Sequence, residues 1–289
     1  MARNLKIFFL ALTLFVFSSI SSECSSGDLR VISLYPGHSD NICALGGEKF
    51  LIALSENDDP ELLPDLPRIP LRTGPEKIIA LKPDILIMRS LTDRINPDLK
   101  NILGRTGIKI IILDPPSWNN FEEYLINLAQ VLNLNPEHAI NKFNSIKNNL
   151  LSKIPEHHKN FKIFVESTSR EIHTCSPNSW AANLIKLVGA VNTAHDAKPL
   201  SPNSNIASFG VERVLKSLDE NLDVYIIQTG AMNNTSLKDF KLRSWFKALE
   251  SRNIKIYEMP EKYLSRPSLR GLEIGGEFLI KVLYGSENN

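Results

Sequence analysis

The residue types that most often carry catalysis form no known catalytic motif in this 289-residue sequence. It contains no Gly-x-Ser-x-Gly nucleophile motif, no Gly-x-x-x-x-Gly-Lys-Ser/Thr phosphate loop and no His-Glu-x-x-His zinc motif. Of the six histidines, only His157 and His158 are neighbours, in a polar segment typical of a solvated turn. A catalytic triad is defined in space, so a hydrolase is not excluded, but nothing in the sequence supports an enzyme.

Four arginines stand where the chain passes from one predicted element to the next. They are Arg72, Arg89, Arg170 and Arg266. The planar guanidinium group forms paired hydrogen bonds with carboxylates and oxyanions. As a group, these arginines indicate an anionic ligand or one that carries carboxylates.

The overall charge argues against nucleic acid as a partner. The chain has 33 lysines and arginines against 32 aspartates and glutamates, whereas nucleic-acid-binding proteins usually carry a basic excess on one face. Three cysteines without a Cys-x-x-Cys pair exclude a disulfide scaffold and a cysteine-rich zinc module. Cys43 and Cys175 could pair, but single buried thiols are the more common arrangement.

Predicted strands and helices alternate along the chain. In order, the first half has a strand at 29–35, a helix at 41–55, a loop at 58–75, a helix at 75–81, a strand at 84–88, a helix at 97–107, a strand at 108–113 and helices at 121–132 and 136–154. This alternation predicts a parallel or mostly parallel sheet covered by helices.

The second half repeats the first. Segments 29–33, 74–79, 83–87 and 107–110 recur, in the same order, as 161–165, 210–215, 222–226 and 253–256. A repeat of this kind predicts two similar α/β lobes, at residues 29–134 and 158–289, joined by one long helix within residues 135–157.

The N-terminus has the pattern of a secretory signal peptide. Arg3 and Lys6 precede eleven apolar residues, too few to span a bilayer, and small residues follow them. We expect residues 1–22 to be cleaved after Ser21 or Ser22 and the protein to be exported. A lipoprotein is not expected, because Glu23 precedes Cys24 where a small residue would be required.

Several short segments resemble the periplasmic cobalamin- and ferric-siderophore-binding proteins of ABC importers. They are 30–36 (RVISLYP), 44–46 (ALG), 76–84 (EKIIALKPD), Trp180, 187–192 (LVGAVN) and 266–268 (RPS). The resemblance covers residues 29–284 and implies two α/β lobes joined by one rigid helix, with a ligand cleft between them. It also implies a monomeric periplasmic receptor that performs no chemistry and needs no resident cofactor.

The resemblance implies that the receptor delivers its ligand to a dimeric ABC permease with ATPase subunits. The ligand would be a metal chelate: a ferric siderophore, cobalamin or haem. A molybdate or tungstate receptor of the same fold is the first alternative, since the arginines would also suit an oxyanion. A secreted α/β hydrolase, and a sensor or adhesin domain, are the alternatives from other classes.

Ligand residues are expected in loops at the carboxyl ends of strands and before helices, where clefts of α/β proteins lie. The candidates are Tyr35, Pro36, Gly37, His38, Arg72, Arg89, Ser90, Arg170, Gln228, Tyr263 and Arg266. Tyr35, His38 and Tyr263 could stack on a flat chelate or ligate iron. No direct metal site is expected, although His38 is a candidate metal ligand.

Glu76 and Glu212 occupy equivalent positions in the repeat, each in the first turn of a predicted helix. A carboxylate there is favoured by the helix dipole, which alone explains either residue. The resemblance implies a second role, in which one glutamate per lobe docks onto arginines of the two permease subunits.

Overall fold

The computed structural model describes residues 29–285, which contain the following elements. In the first half these are β1 (Val31–Ser33), α1 (Pro36–Ala44), β2 (Leu51–Ser55), β3 (Arg68–Ile69), α2 (Pro75–Ala80), β4 (Ile85–Met88), α3 (Ser90–Ile95), α4 (Pro97–Leu103), β5 (Lys109–Ile112), α5 (Phe121–Leu132) and α6 (Glu137–Ser152). In the second half they are β6 (Lys162–Thr168), β7 (His173–Cys175), α7 (Trp180–Leu187), β8 (Val191–Asn192), β9 (Lys198–Pro199), β10 (Ile206–Ser208), α8 (Val211–Asp219), β11 (Val224–Thr229), α9 (Leu237–Lys241), α10 (Phe246–Glu250), β12 (Lys255–Pro260), α11 (Glu261–Leu264) and α12 (Leu269–Tyr284).

The first lobe is built around a parallel sheet with the strand order β3-β2-β1-β4-β5. The central strand β1 pairs with β4 in the register Val31↔Ile85 and Ser33↔Ile87. All three residues of β1 and all four of β4 are buried. Strands buried on both faces are expected in a parallel sheet with helices on either side.

The second lobe has a mixed sheet with the order β12-β11-β6-β7-β10-β9, and β8 pairs with β6 beside β7. Strands β6, β11 and β12 are parallel, whereas β7, β10 and β9 are antiparallel to their neighbours. The predicted α/β class with two lobes is confirmed, but the second sheet is less regular than predicted. The repeat corresponds to the paths β1-β4-β5 and β6-β11-β12, which have the same order and direction.

The helix predicted at 41–55 is wrong. Helix α1 ends at Ala44, and the chain turns at Gly46, whose φ of +75° suits glycine. The next apolar run, Leu51–Ser55, forms the strand β2, whose backbone pairs with both β1 and β3.

Helix α6 lies between the two sheets in the chain and shares their main core. Its buried residues Phe143, Ile146 and Leu150 belong to an apolar cluster that also contains Val31 of β1 and Ile163 of β6. One continuous core therefore extends through both lobes, and the elements of both lobes pack on a common helix.

Within residues 29–285, no helix combines the length and apolarity needed to cross a membrane. The predicted signal peptide lies outside the described residues. Cys43 is half-buried and Cys175 is buried, and both are free thiols.

Candidate functional site

A cavity of about 400 Å³ lies between the two lobes. The first lobe contributes Leu34, Tyr35, Pro36, Ser55, Glu56, Asn57, Leu71 and Arg89, and the second side contributes Ser167, Asn205, Ile206, Gln228, Ala231, Met232, Glu261, Ser265 and Arg266. Most of these residues follow a strand, since the carboxyl ends of β1, β2, β4, β6, β11 and β12 all face the cleft. The lining combines charged, polar and apolar side chains.

The corner between β1 and α1 places Tyr35 in the cavity wall. Pro36 begins α1, where its missing N–H leaves no bond unmade. A side chain at Gly37 would bring its Cβ within 2.5 Å of the Tyr35 ring, so Gly37 makes room for that ring. Gly37 is buried and supports the wall rather than lining it. Burial raises the pKa of Tyr35 above its ordinary value, and nearby Arg266 and Arg89 oppose that shift.

His38 does not line this cavity. Its ring is fully buried, with Nδ1 2.7 Å from the Tyr124 hydroxyl and Nε2 2.8 Å from the Leu113 carbonyl oxygen. The carbonyl can only accept, so Nε2 carries the proton and Nδ1 accepts from Tyr124. Burial lowers the pKa of His38 to about 4. Because both ring nitrogens are occupied inside the first lobe, the expectation of His38 as a ligand contact or metal ligand is corrected.

Two of the four predicted arginines line the cavity, one from each side. The guanidinium of Arg89 lies 4.9 Å from the centroid of the Tyr35 ring, within range of a cation–π contact. Arg266 is largely buried, with its Nη2 3.4 Å from Glu261 Oε1. In the described part of the chain, no carboxylate lies within ion-pair distance of Arg89. Arg89 is therefore the less compensated of the two charges.

The other predicted contacts lie in different surroundings. Arg72 is exposed and outside the lining. Ser90 donates its hydroxyl to Asp114 at 2.6 Å, and its amide to the same carboxylate at 2.8 Å. Tyr263 lies outside the lining, beneath the Nζ of Lys262 at 4.9 Å. The side chain of Arg170 is outside the described part of the structure.

Gln228 does line the cavity, at the end of β11, and its side-chain oxygen accepts a hydrogen bond from Ser265. Gln228, Tyr35, Pro36, Arg89 and Arg266 are the candidates that the fold brings together. Ser167, at the end of β6, lines the cavity as well.

Sequence reasoning missed most of the lining. Glu56 and Asn57 follow β2, and the same strand-end rule would have selected them had β2 been recognised. Glu56 accepts a hydrogen bond from the Leu71 amide at 2.7 Å. Asn205 and Ile206 lie at the start of the three-residue strand β10, for which the sequence carries no clear periodic signal.

A second cavity of about 360 Å³ adjoins the first and shares Asn57, Ala231, Glu261 and Arg266 with it. Asp59 bridges the lobes there, with its Oδ2 2.8 Å from Lys262 Nζ and 2.9 Å from Arg270 Nη1. The neighbouring Asp58 is buried, and burial raises its pKa to about 7. The ion pairs of Asp59 tie the two sides together at the edge of the cleft.

The cavity wall offers charged and hydrogen-bonding groups to an organic ligand. Among the described residues, no group of three or more His, Cys, Asp or Glu side chains could hold a metal. Two arginines offer charge-assisted hydrogen bonds to acidic groups. Glu56, Asn57, Gln228 and the serines can accept or donate further hydrogen bonds.

Glu76 and Glu212 are both exposed in the first turns of α2 and α8. Each carboxylate folds back over the preceding glycine, since a Cβ on Gly74 or Gly210 would lie 2.6 or 3.3 Å from the glutamate Oε2. Within residues 29–285, neither glutamate has an ion-pair partner. Both carboxylates are therefore available at the surface.

Solved structures with this fold include three bacterial proteins. A possible iron-binding periplasmic solute-binding protein from Staphylococcus epidermidis superimposes with a TM-score of 0.72 at 20% identity, over 88% of this chain and 98% of its own. The periplasmic haem-binding protein HutB of Vibrio cholerae gives 0.69 at 19% identity, over 89% and 99%. The periplasmic vitamin B12-binding protein BtuF of the same organism gives 0.62 at 20% identity, over 90% and 98%. At these identities, the likeness establishes the two-lobed fold.

The sequence itself places the chain in a family. No curated protein matches it. Residues 31–263, which include both sheets and nearly all of the cavity lining, match the family of periplasmic binding proteins. The chain belongs to the periplasmic binding protein family.

Proposed function

We propose that this protein is the extracytoplasmic receptor of an ABC importer, and that it binds a metal chelate in the cavity between its lobes. The observation that carries the proposal is the pair of arginines, Arg89 and Arg266, that enter one cavity from opposite sides. Three solved proteins of this fold are described as a possible iron-binding protein, a haem-binding protein and a vitamin B12-binding protein. These support a ferric siderophore, haem or cobalamin as the class of ligand.

The size and lining of the cavity favour a chelate over molybdate or tungstate. A volume of about 400 Å³ lies within the usual range for organic ligands. A tetrahedral oxyanion would leave most of that space unfilled. The carboxylates of Glu56 and Glu261 would also repel an oxyanion, whereas a large ligand can meet arginines and carboxylates with different groups.

The proposed partner is the importer's permease dimer, which carries the ATPase subunits. The receptor binds that dimer as a monomer. Glu76 and Glu212, which are exposed and unpaired, support this. One carboxylate on each lobe suits a symmetric dimer that has one basic binding site on each subunit. The proposed lobes are those of the sequence repeat, residues 29–134 and 158–289, with α6 between them. Export through a cleavable signal peptide belongs to the same proposal.

The test is the absorption spectrum of the protein purified from its native periplasm, followed by titration of the stripped protein. Iron chelates, haem and corrinoids are coloured, so we expect visible absorption that is lost on stripping and restored by one equivalent of haemin, cyanocobalamin or a ferric siderophore. A colourless protein that binds molybdate or tungstate, and none of the coloured probes, would contradict the proposal.

A further inference from the structure

The turn at residues 230–233 presents a methionine to the cavity. Met232 is half-exposed, and among the described large apolar residues with exposed side chains it is the one that lines the cavity. Exposed methionines are otherwise uncommon, because the side chain is apolar. A flexible, polarisable thioether in a cleft wall is well suited to contact an apolar or aromatic ligand face.

The backbone of this turn is closely constrained. Gly230 and Asn233 exchange two hydrogen bonds, of 3.0 and 3.1 Å, which leave Ala231 and Met232 at the tip. Gly230 has a φ of +154°, and a Cβ there would lie 2.6 Å from Cγ of Glu261. The turn therefore packs directly against the residue that pairs with Arg266.

A buried network anchors the same turn from within the second lobe. Asn233 donates its side-chain amide to Glu166 at 3.2 Å and accepts from the Thr235 amide at 3.1 Å. Glu166 is fully buried, and Arg243 binds both of its oxygens, at 2.6 and 2.9 Å. Tyr225 donates to it at 2.5 Å.

This network holds the turn in place. Burying a carboxylate is costly unless its charge is paired and its lone pairs are satisfied, and every partner here is in place. No residue of the network lines the cavity, although Ser167, the chain neighbour of Glu166, does. Through Asn233, the network fixes the turn that carries Met232.

We infer that Met232 is a specificity-determining residue that contacts the face of a flat macrocyclic chelate, and that Asn233 is its positioning residue. The chelate lies between Met232 on the second lobe and the Tyr35–Arg89 stack on the first. This inference rests on the proposed function and narrows its ligand class from metal chelates in general to planar macrocycles.

The test compares haemin, cyanocobalamin and ferric desferrioxamine B, whose iron is wrapped by hydroxamates without a planar ring. Sulfur–ring contacts have energies that correspond to a change of about two- to tenfold in Kd. We expect Met232→Ala to weaken binding of a macrocycle by that factor. Leu200→Ala, which removes an equally exposed side chain outside the cavity, is the matched control and should leave Kd unchanged.

A double-mutant cycle tests the positioning role. If Asn233 acts through Met232, Asn233→Ala weakens macrocycle binding, but the Met232→Ala/Asn233→Ala pair loses no more affinity than Met232→Ala alone. Asn234→Ala, at the exposed neighbouring position, is the control. Additive losses would show that Asn233 has only a structural role.

The outcomes separate this inference from the proposed function. If wild-type protein binds a macrocycle and Met232→Ala binds it equally well, the inference is wrong and the receptor function stands. The same holds if ferric desferrioxamine B is the only probe bound. If the wild-type protein binds none of the three probes, the proposed chelate function is itself contradicted, and the inference falls with it.

Discussion

Arg89 and Arg266 enter the cavity with different electrostatic partners, which leads to different expected effects. Arg89 stacks on Tyr35 without a carboxylate beside it, whereas Arg266 neutralises Glu261. Removing Arg89 deletes an attractive charge from the cleft. Removing Arg266 also leaves the Glu261 carboxylate unpaired in a partly buried site, where it would repel an acidic ligand.

We therefore expect Arg89→Ala to weaken binding of haemin, whose propionates are anionic, by about 1–3 kcal/mol, the range for a charge-assisted hydrogen bond. Arg266→Ala should weaken it more. Arg72→Ala is the control, because that side chain is exposed outside the cavity. Titration of the three variants gives the comparison, and equal affinities for wild type and Arg89→Ala would refute the arginine assignment.

His38 gives a pH-dependent prediction for stability rather than for binding. An unfolded histidine titrates near pH 6.5, whereas folded His38 stays neutral down to about pH 4. The unfolded chain therefore takes up the proton first as pH falls. The stability contributed by neutral His38 is fully present above pH 6.5 and is lost as the pH falls toward 4.

Between pH 7 and pH 5, we expect this residue to remove about 2 kcal/mol from the free energy of unfolding. His38→Gln should be less stable at pH 7, because it loses the contacts to Tyr124 and Leu113, but its stability should decline less on acidification. Urea denaturation of both proteins at the two pH values measures the difference. An identical decline in both would show that His38 does not titrate as described.

The residues of the cavity show what strand-end reasoning can predict. Tyr35, Arg89 and Gln228 were selected because each follows an apolar run that forms a strand. Glu56 meets the same condition, but the sequence does not single it out, because the apolar spacing before it favours a helix over the strand that the chain forms. His38 was selected from its sequence position, which does not reveal that α1 turns the imidazole inward onto Tyr124.

At the scale of elements, the strands that were predicted are those with a long apolar run. Strands β1, β4 and β5 fall within predicted strands, and β6, β11 and β12 overlap the repeat segments 161–165, 222–226 and 253–256. Strands β3, β8 and β9 have only two residues each, too few to show a period of two. For β2, the apolar spacing of Ile42, Leu45, Phe50 and Leu54 fits a helix, but the glycines at 46–47 end α1 and let the chain turn into the strand.

Helix α12 illustrates a constraint that appears only when elements are packed together. A Cβ at Gly275 would lie 2.0 Å from the backbone oxygen of Tyr263, which is too close for any side chain. A Cβ at the following residue, Gly276, would lie 2.3 Å from the Leu150 side chain in α6. The two glycines let α12 approach α11 on one side and α6 on the other.

We expect Gly275→Ala to destabilise the protein by about 2–3 kcal/mol, the usual cost of overpacking. Alanine's better helix propensity, about 1 kcal/mol, opposes this without cancelling it. Thermal unfolding should show a Tm lowered by about 5–10 °C. Ile274→Ala, at an exposed position of the same helix, is the control; a Gly275→Ala protein as stable as that control would contradict the close approach.

At the scale of the whole molecule, the two lobes behave as one packed unit. The apolar core runs from β1 through α6 to β6. Asn41 of α1 donates to the Pro267 carbonyl at 3.0 Å and accepts from the Leu269 amide at 3.3 Å, which ties the first lobe to the start of α12. Asp59 adds the ion pairs to Lys262 and Arg270. This packing fixes the positions of Glu76 and Glu212 relative to each other.

A fixed separation matters if both carboxylates dock on one permease dimer. Exposed ion pairs contribute little to folding, and they act mainly on encounter and register. Each glutamate also stabilises its own helix through the dipole, by about 0.3–1 kcal/mol. Replacing both should therefore have a small effect on stability and a large effect on delivery.

We expect the Glu76→Ala/Glu212→Ala protein to bind its ligand with unchanged Kd and to melt within a few degrees of wild type, yet to lose transport and stimulation of the importer's ATPase. The control replaces Glu123 and Glu250, which are exposed glutamates on the same two lobes, and should retain both activities. Single replacements should each retain part of the stimulation, because the remaining glutamate still binds its permease subunit. Reconstituted importer in liposomes measures both activities, and normal delivery by the double variant would show that these carboxylates only cap their helices.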